Sequence, residues 1–399
     1  MFSTFAANLQ TAHENLVRQP ILQKCFLTIV IPVQNEAKQI SETLRSLSRQ
    51  VDSRNRPLDY EQFEIIFLVN NTTDDSAEII RRWMAENQFA VVHLAEKNLP
   101  AACSNVGYVR RWLMNEAYLR LRANKFKSGI IATTDGDTRI APNWIDATVA
   151  EIKKGAEAVG GRIFLRADDL REMNARARAF HLRDTGYRLM AAEIECCLDH
   201  LAHDSVPRHH QHFNGSFAVT TKAFEKAGGI PQVDCLEDVA FYHSLLRVDA
   251  RFRHSPQVTV QTSARVEGRT GLGLSTQINE WTVMGENGDE YLVESAAAIE
   301  RRLIARRNLR NLWNSTNNRR CLSERTKILA DDLMISHEFL RGELNNAATF
   351  GRLYEKILGE QLRTGDWQKE NPLASIEKAI FDLRLLLQKF RCVRKSFSA

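Results

Sequence analysis

Phe26-Leu-Thr-Ile-Val-Ile-Pro32 is an apolar segment that ends at a proline. A strand buried on both faces of a parallel sheet reads as such a continuous run, so this segment predicts a central strand. Phe63-Glu-Ile-Ile-Phe-Leu-Val69 repeats the pattern, and residues 91–94 and 129–134 predict two further strands. The N-terminal part of the chain therefore predicts a buried sheet.

Helical patterns separate these predicted strands. Asn35 is expected to cap a helix that carries Ile40, Leu44 and Leu47 on one face, and residues 104–121 form a second amphipathic pattern. Alternating strands and helices give right-handed βαβ units, in which ligands bind beyond the carboxyl ends of the strands. We therefore predict an α/β, Rossmann-like fold with a mostly parallel sheet flanked by helices.

The strand signals stop after Gly271, and the chain from about residue 278 is helical, arginine-rich and almost free of glycine. This change of composition predicts a domain boundary near Gly273. We predict a helical lead-in at 1–23, a catalytic α/β domain at 24–273 and a helical C-terminal extension at 274–399.

Composition argues against several function classes. Lysine and arginine total 54 against 49 acidic residues, and this net charge of +5 is too small for a nucleic-acid-binding signature. No apolar run is long enough for a membrane span, and residues 1–23 lack the pattern of a secretion signal, so we expect a cytoplasmic protein. The seven cysteines include no CxxC pair, which indicates reduced, mostly buried thiols instead of a zinc site or a disulfide framework.

Basic residues concentrate in two places that could contact an anionic surface. Residues 301–320 contain seven arginines and no acidic residue, and the C terminus is also basic. An apolar stripe leads into that basic end, which predicts either a contact with a membrane or partner surface or, as we favour, a terminal helix packed on the catalytic domain with a frayed basic tail. The stripe and the basic end comprise Ile376, Ile380, Leu383, Leu387 and Phe390, followed by Lys389, Arg391, Arg394 and Lys395.

Asp135-Gly-Asp137 follows the predicted strand at 129–134 directly. Two carboxylates one residue apart at a strand end offer hard oxygen ligands to Mg²⁺ or Mn²⁺, which also bind diphosphate oxygens. Asp-Gly-Asp is also common in ordinary turns, so this DXD motif alone favours the turn. Its neighbours decide between the two interpretations.

The ordered set of motifs resembles glycosyltransferase family 2, whose catalytic domain has the GT-A fold. The resemblance covers roughly residues 26–269 and is specific as an ordered set, although each motif alone is unremarkable. The motifs are Val30-Ile-Pro-Val-Gln-Asn-Glu36, Val69-Asn-Asn-Thr-Thr-Asp-Asp75, Ala101-Ala-Cys-Ser-Asn-Val-Gly107, Thr134-Asp-Gly-Asp137, Gly228-Gly-Ile-Pro231 and Leu236-Glu-Asp238.

The resemblance implies a nucleotide-sugar donor bound between the ends of the first two strands. The residues implied for donor binding are Pro32, Val33, Glu36, Asn70, Asn105 and Asp135. Relatives often carry an aspartate at the position of Asn70 and a glycine near Leu99-Pro100, so this chain departs from the pattern twice. Asn70 can accept from a uracil imide N–H, but it can also donate, which weakens the indication of uridine as the base. A UDP-sugar is favoured, with a GDP-sugar as the alternative. A turn cap is an equally good local interpretation of Asn70 and Asn71.

The resemblance also implies an inverting, metal-dependent transfer. Asp238 would be the general base on the acceptor hydroxyl, with Glu237 as an orienting or acceptor-binding group; a helix N-cap is the alternative. Asp137 would bind Mn²⁺ or Mg²⁺ directly, and Asp135 would bind the metal or the ribose. Arg265 and Arg269 stand in a segment that resembles a loop closing over the diphosphate, where arginines suit phosphate oxygens.

Arg208-His-His-Gln-His212 matches no zinc spacing, and family position makes His209 and His212 weak candidates for acceptor binding. Two rival functions stay open: a retaining transferase on the same fold, and a nucleotide-sugar-binding protein without turnover. A dinucleotide oxidoreductase is disfavoured, because Pro32-Val-Gln-Asn35 stands where a GxGxxG would follow the first strand.

Overall fold

The computed structural model describes residues 5, 9, 14–87, 91–124, 128–264, 273–315 and 322–396. Residues 1–4, 6–8 and 10–13 of the predicted lead-in, and both Arg265 and Arg269, lie outside the described residues. Residues 14–23 form no helix, so the prediction of a helical lead-in is wrong for that part. Two compact units are present. The first contains residues 1–173, 211–245 and 250–277, and the second contains residues 174–210, 246–249 and 278–399.

The strands fall into an eight-stranded sheet and a separate two-stranded pair. The strands of the large sheet are β1 (Leu27–Val33), β2 (Phe63–Asn70), β3 (Val92–Lys97), β4 (Ile130–Thr134), β5 (Arg139–Ile140), β6 (Ala158–Leu165), β7 (Ser216–Thr220) and β8 (Phe252–Thr262). The separate antiparallel pair is β9 (Leu292–Glu294) with β10 (Leu373–Ser375).

The α-helices surround and follow these strands. In chain order they are α1 (Ile40–Leu47), α2 (Ser76–Glu86), α3 (Val106–Ala123), α4 (Trp144–Lys153), α5 (Ala167–Glu172), α6 (Ala175–Leu198), α7 (Thr221–Ala227), α8 (Glu237–Arg247), α9 (Leu274–Asn287), α10 (Ala296–Asn314), α11 (Leu322–Leu333), α12 (His337–Asn346), α13 (Phe350–Thr364), α14 (Asp366–Glu370) and α15 (Ile376–Ser396). Short 3₁₀ turns lie at Tyr60–Gln62, Ala101–Cys103 and Ala202–Asp204.

The large sheet has the strand order β3-β2-β1-β4-β7-β6-β8-β5. Strands β1 to β4 are parallel, as the alternating pattern predicts, whereas β7 runs antiparallel to both β4 and β6. The α/β fold with a mostly parallel sheet flanked by helices and a helical C-terminal region is therefore confirmed. The prediction that the extension at 274–399 is all-α is wrong, because β9 and β10 form a strand pair there. Strand β6 had no clear signal in the sequence, because Gly160 and Gly161 interrupt its apolar pattern.

The core of the first unit lies on both faces of β1. All seven residues of this strand are buried, and Ile40, Leu44 and Leu47 of α1 pack against it with at most 1% exposure. The predicted cap of α1 is wrong, because the helix begins at Ile40 and Asn35 adopts a left-handed φ of 53°. The Asn35 side chain instead accepts from the Thr73 backbone N–H at 2.7 Å, which joins the loops after β1 and β2.

The second unit is mainly helical. The stripe on α15 is buried in its core, with Ile376 and Leu383 fully buried beside Tyr187 of α6. The packed terminal helix favoured above is therefore what the structure shows for this stripe. No helix in the described part of the chain is long and apolar enough to cross a bilayer.

Arginines of α10 mostly bind carboxylates within the second unit. Arg306 donates to Asp199 and Glu195, Arg310 donates to both oxygens of Asp199, and Arg302 forms a bidentate pair with Glu294. The expectation that this arginine run contacts an anionic surface is therefore wrong for these three side chains. Spacings of four residues place them on one helix face, where internal carboxylates meet them.

Two structural details bear on the remaining predictions from composition. The predicted boundary near residue 273 stays a prediction, since the compact units are not separated by a single cut in the sequence.

The described cysteines are free thiols, but only Cys25 and Cys196 are buried, and Cys235 is exposed. The expectation of mostly buried thiols is therefore wrong for the described cysteines.

Candidate active site

The Asp135-Gly-Asp137 turn leaves the carboxyl end of β4 and lies against the end of β1. A Cβ on Gly136 would come within 3.1 Å of Glu36 Cγ and 3.4 Å of the Pro32 carbonyl oxygen. The Thr43 hydroxyl also donates to the Gly136 carbonyl at 2.9 Å. The turn is therefore held beside residues predicted to bind the donor, as expected for adjacent parallel strands.

Arg110 of α3 forms the centre of a charged cluster at this edge of the sheet. Its side chain is only 3% exposed, and its Nη2 donates to Asp135 Oδ1 at 2.6 Å. Nε donates to Glu237 Oε1 at 3.3 Å, and Nη1 donates to the Thr133 hydroxyl at 2.6 Å. One buried guanidinium thus connects the DXD turn with the first residue of α8.

The start of α8 brings Glu237 and Asp238 into the cluster. Leu236, directly before them, has a φ of 55°, which is an uncommon backbone conformation for a bulky residue and favours a functional role for the turn. The Asn214 side-chain amide donates to Glu237 Oε1 at 3.3 Å. Two donors, from Arg110 and Asn214, therefore hold one oxygen of Glu237.

The carboxyl group of Asp238 has a raised pKa. Burial raises its pKa, and the charges of Glu237 and Asp135 raise it further, to about 6. The Val239 backbone N–H and Arg110 oppose this shift. A carboxylate with a pKa near neutrality is a better proton acceptor than an ordinary aspartate, which suits a general base.

The donor side of the edge contains the asparagines predicted from the sequence. Asn70 is 3% exposed and its amide nitrogen donates to the Ser104 carbonyl at 3.1 Å, so its Oδ1 is left as an acceptor. Asn71 bonds both backbone groups of Leu99 and therefore serves as a turn cap. Asn105 caps α3 by accepting from the Tyr108 N–H at 2.8 Å.

Asp135 and Asp137 offer oxygen atoms suited to a hard cation. Asp135 Oδ2 lies 3.1 Å from the place a Cβ on Gly215 would take, so the glycine leaves room beside this oxygen. Asp137 Oδ1 has the hydroxyls of Thr138 and Thr262 at 3.4 Å. No group of three or more His, Cys, Asp or Glu suited to a metal occurs among the described residues. The residues fit Mg²⁺ or Mn²⁺, which take one or two protein carboxylates and complete their shell with water and phosphate oxygens.

The family model described as glycosyl transferase family 2 matches residues 28–108. The match contains β1, β2, β3 and the start of α3, and it ends at the helix that carries Arg110. Residues 28–108 are therefore similar to glycosyltransferase family 2. The resemblance that the ordered motifs indicate is confirmed for this part of the chain.

A curated glycosyltransferase is also similar to part of this chain. The undecaprenyl-phosphate 4-deoxy-4-formamido-L-arabinose transferase of Edwardsiella ictaluri is 27% identical over 135 residues, which cover 34% of this chain and 36% of the relative. The chain thus matches only about a third of that relative's length. The substrates in the name of this relative are those of that protein and are not assigned to this chain.

Solved glycosyltransferases are also similar to this chain. A mannosyltransferase from Pyrobaculum calidifontis in complex with GDP-Man and Mn²⁺ aligns over 91% of this chain and 87% of its own, with 15% identity and a TM-score of 0.40. S. aureus TarS 1-349 in complex with UDP-GlcNAc aligns over 85% and 92%, with 12% identity and a TM-score of 0.42. Both TM-scores are below 0.5, and the fold is therefore established by the strand order of this chain itself.

The two histidines proposed for acceptor binding are located differently. His209 is buried in the second unit. The His212 ring stacks on Tyr242 of α8 in the first unit, with centroids 3.9 Å apart and one turn after Asp238. Both roles stay predictions.

Arg110, Thr133 and Asn214 are members of the cluster that the sequence alone did not indicate. A signal for Arg110 existed, because it lies three residues after Gly107 and three before Leu113, on the buried face of α3. A charged residue on such a face requires a buried partner. The sequence does not indicate that the partners are Asp135 and Glu237, which lie 25 and 127 residues away.

Proposed function

We propose that this chain is a glycosyltransferase, in which the first unit transfers a sugar from a nucleoside-diphosphate sugar to an acceptor hydroxyl with inversion and with the help of a divalent cation. One observation carries this proposal: the buried Arg110 joins Asp135 of the DXD turn to Glu237, the neighbour of Asp238. A metal-binding turn and a carboxylate of raised pKa thus belong to one cluster at the carboxyl edge of the sheet, where ligands bind in folds of this class.

In this mechanism Asp238 accepts the proton of the acceptor hydroxyl as that oxygen attacks the anomeric carbon. Its pKa of about 6 keeps it mostly ionised at neutral pH while leaving it more basic than an exposed aspartate. Glu237, held by Arg110 and Asn214, would orient the acceptor. A divalent cation bound by Asp137 would supply positive charge that stabilises the departing nucleoside diphosphate.

On the donor side, Asn70 would accept from the imide N–H of the base through Oδ1, because its amide nitrogen already donates to Ser104. This orientation supports a UDP-sugar, with a GDP-sugar as the alternative. Pro32, Val33, Glu36 and Asn105 would line the same end of the donor site. Asp135 would bind the metal or the ribose.

The proposal is tested by donor turnover. Purified protein is incubated with UDP- and GDP-sugars in Mn²⁺, and nucleoside diphosphate release is measured with and without chelator. We expect release from one donor class that the chelator abolishes. Saturable donor binding without release would instead support the non-catalytic binder, and retention of anomeric configuration in the product, read by NMR, would support the retaining alternative.

A peripheral membrane contact of a cytoplasmic protein is a separate proposal for the C terminus. The buried stripe on α15 is not available for it, but Phe381 and Leu385 are 61% and 44% exposed beside exposed Arg384 and Lys389. Apolar and basic side chains on one helix face can bind an anionic bilayer. Flotation with anionic liposomes in low and high salt tests this; no flotation at low salt would rule it out.

A further inference from the structure

Arg110 is the residue that physically joins the two halves of the proposed site. Its Nη2 lies 2.6 Å from Asp135 on the donor side, and its Nε lies 3.3 Å from Glu237 on the acceptor side. Nη1 is anchored on the Thr133 hydroxyl at the end of β4. All three guanidinium nitrogens therefore bind protein atoms from three different elements.

The helix that carries Arg110 is itself closely packed against α8. A Cβ on Gly107 of α3 would lie 3.2 Å from Glu237 Cβ, a spacing that leaves little room for anything but glycine. The backbone that holds Arg110 is thus in contact with the helix start that holds Glu237. A small displacement of the Arg110 backbone would therefore move its guanidinium relative to both carboxylates that it binds.

We infer that Arg110 is a positioning residue for transfer, which sets the orientation of Asp135 relative to Glu237 and so aligns the donor with the acceptor. This inference rests on the proposed function. A planar guanidinium with donors in fixed directions can hold two carboxylates and a hydroxyl at once, whereas a lysine ammonium on a flexible stem cannot reproduce that geometry. Misalignment of reacting groups by about 1 Å can cost about 100-fold in rate, so a positioning role would appear in turnover.

Arg120 is a matched control on the same helix. Its side chain is 8% exposed, and it also forms a buried pair, with Glu64 on β2 at 2.6 Å. Arg110→Lys therefore disturbs two ion pairs of a buried arginine of α3, with Asp135 and Glu237, and Arg120→Lys disturbs one, with Glu64. Only the pairs of Arg110 belong to the carboxylate cluster.

The experiment measures three quantities for both variants: thermal stability, the Kd for UDP or GDP with Mn²⁺ by calorimetry, and donor turnover well below the melting temperature. For Arg110→Lys we expect turnover to fall at least about 10-fold while the nucleotide Kd changes by less than about threefold, the split of a residue that acts in the transition state. For Arg120→Lys we expect turnover within about threefold of the parent protein, whatever its stability.

Equal turnover of the two variants would overturn the inference, because it would make Arg110 a structural residue only. A loss confined to nucleotide Kd would overturn it as well. If Arg110→Lys does not fold, Thr133→Val removes the hydroxyl that anchors Nη1 without removing a charge; unchanged turnover in that variant would contradict the positioning role. Failure of the proposed function is distinguishable, since the parent protein itself would then show neither nucleotide binding nor turnover.

Discussion

Arg110 Nη2 lies 2.6 Å from Asp135 Oδ1 in an ion pair whose arginine is almost wholly buried. A buried pair of this kind is a weak source of net stability, because both charges lose their water. Its position between a DXD turn and the start of α8 gives it a different significance, since it brings into one cluster the carboxylates that the proposed transfer requires. The predictions below test that cluster and the fold around it.

The first prediction concerns metal use. Asp137→Asn replaces an anionic ligand with a neutral one at the turn, so we expect Mn²⁺-dependent turnover to fall by at least about 100-fold with little change in melting temperature. Asp146→Asn, in the first turn of α4, is the matched control and should keep full turnover. Mn²⁺-dependent turnover of Asp137→Asn equal to that of the parent would show that this carboxylate does not bind the ion.

The second prediction concerns pH. Because Asp238 must be ionised to accept a proton and its pKa is raised to about 6, kcat/KM should fall as the pH drops through about 6. Glu237→Gln removes the neighbouring charge that raises this pKa, so the acidic limb of the profile should move to lower pH. If the acidic limb were identical in the parent and in Glu237→Gln, the group that titrates in this limb would not be Asp238.

A third prediction links the same carboxylate to stability. Because the pKa of Asp238 is raised in the folded state, its neutral carboxyl favours folding and its ionised carboxylate opposes folding. The stabilising contribution of the neutral carboxyl is complete below the ordinary pKa of 3.8 and is lost as the pH rises through about 6. The amide side chain of Asp238→Asn cannot ionise, so the variant should be more stable than the parent at pH 8, by about 3 kcal/mol, since each pKa unit between 3.8 and about 6 corresponds to about 1.4 kcal/mol. The two proteins should have equal stability near pH 3.5. Denaturant unfolding at both pH values checks this, and lower stability of the variant at pH 8 would contradict it.

The fourth prediction concerns the buried Glu64–Arg120 pair of α3 and β2. Burial raises the pKa of Glu64, but hydrogen bonds from Arg120 and His93 outweigh it and lower the pKa to about 2. Arg120→Met leaves the carboxylate buried without its main partner, which should cost about 3–5 kcal/mol at pH 7. Because the pKa of Glu64 is lowered in the folded state, its ionised carboxylate stabilises the parent protein above pH 4.5, and this stabilisation is lost toward pH 2. The difference in unfolding free energy between the parent and Arg120→Met should therefore shrink on acidification. A difference that does not depend on pH would assign the loss to packing.

Part of this molecule could be predicted from its sequence because the signals are local. Strands β1 and β2 are buried on both faces and read as unbroken apolar runs, and the DXD turn directly follows β4. The antiparallel part of the sheet was harder, since Gly160 and Gly161 interrupt β6. The contact between Arg110 and Glu237 spans 127 residues of chain and has no local signature.

The role of Asp238 as the base on the acceptor hydroxyl, with the donor bound by other residues, can be tested by comparing Asp238→Asn with Asp234→Asn. Asp234 is exposed four residues earlier, in the turn before α8, and serves as the control. The measurement pairs nucleotide–Mn²⁺ Kd by calorimetry with donor turnover at pH 7.5. We predict that Asp238→Asn loses at least about 100-fold in turnover with Kd within about threefold, while Asp234→Asn matches the parent in both. Retained turnover with a weakened Kd in Asp238→Asn would contradict the account.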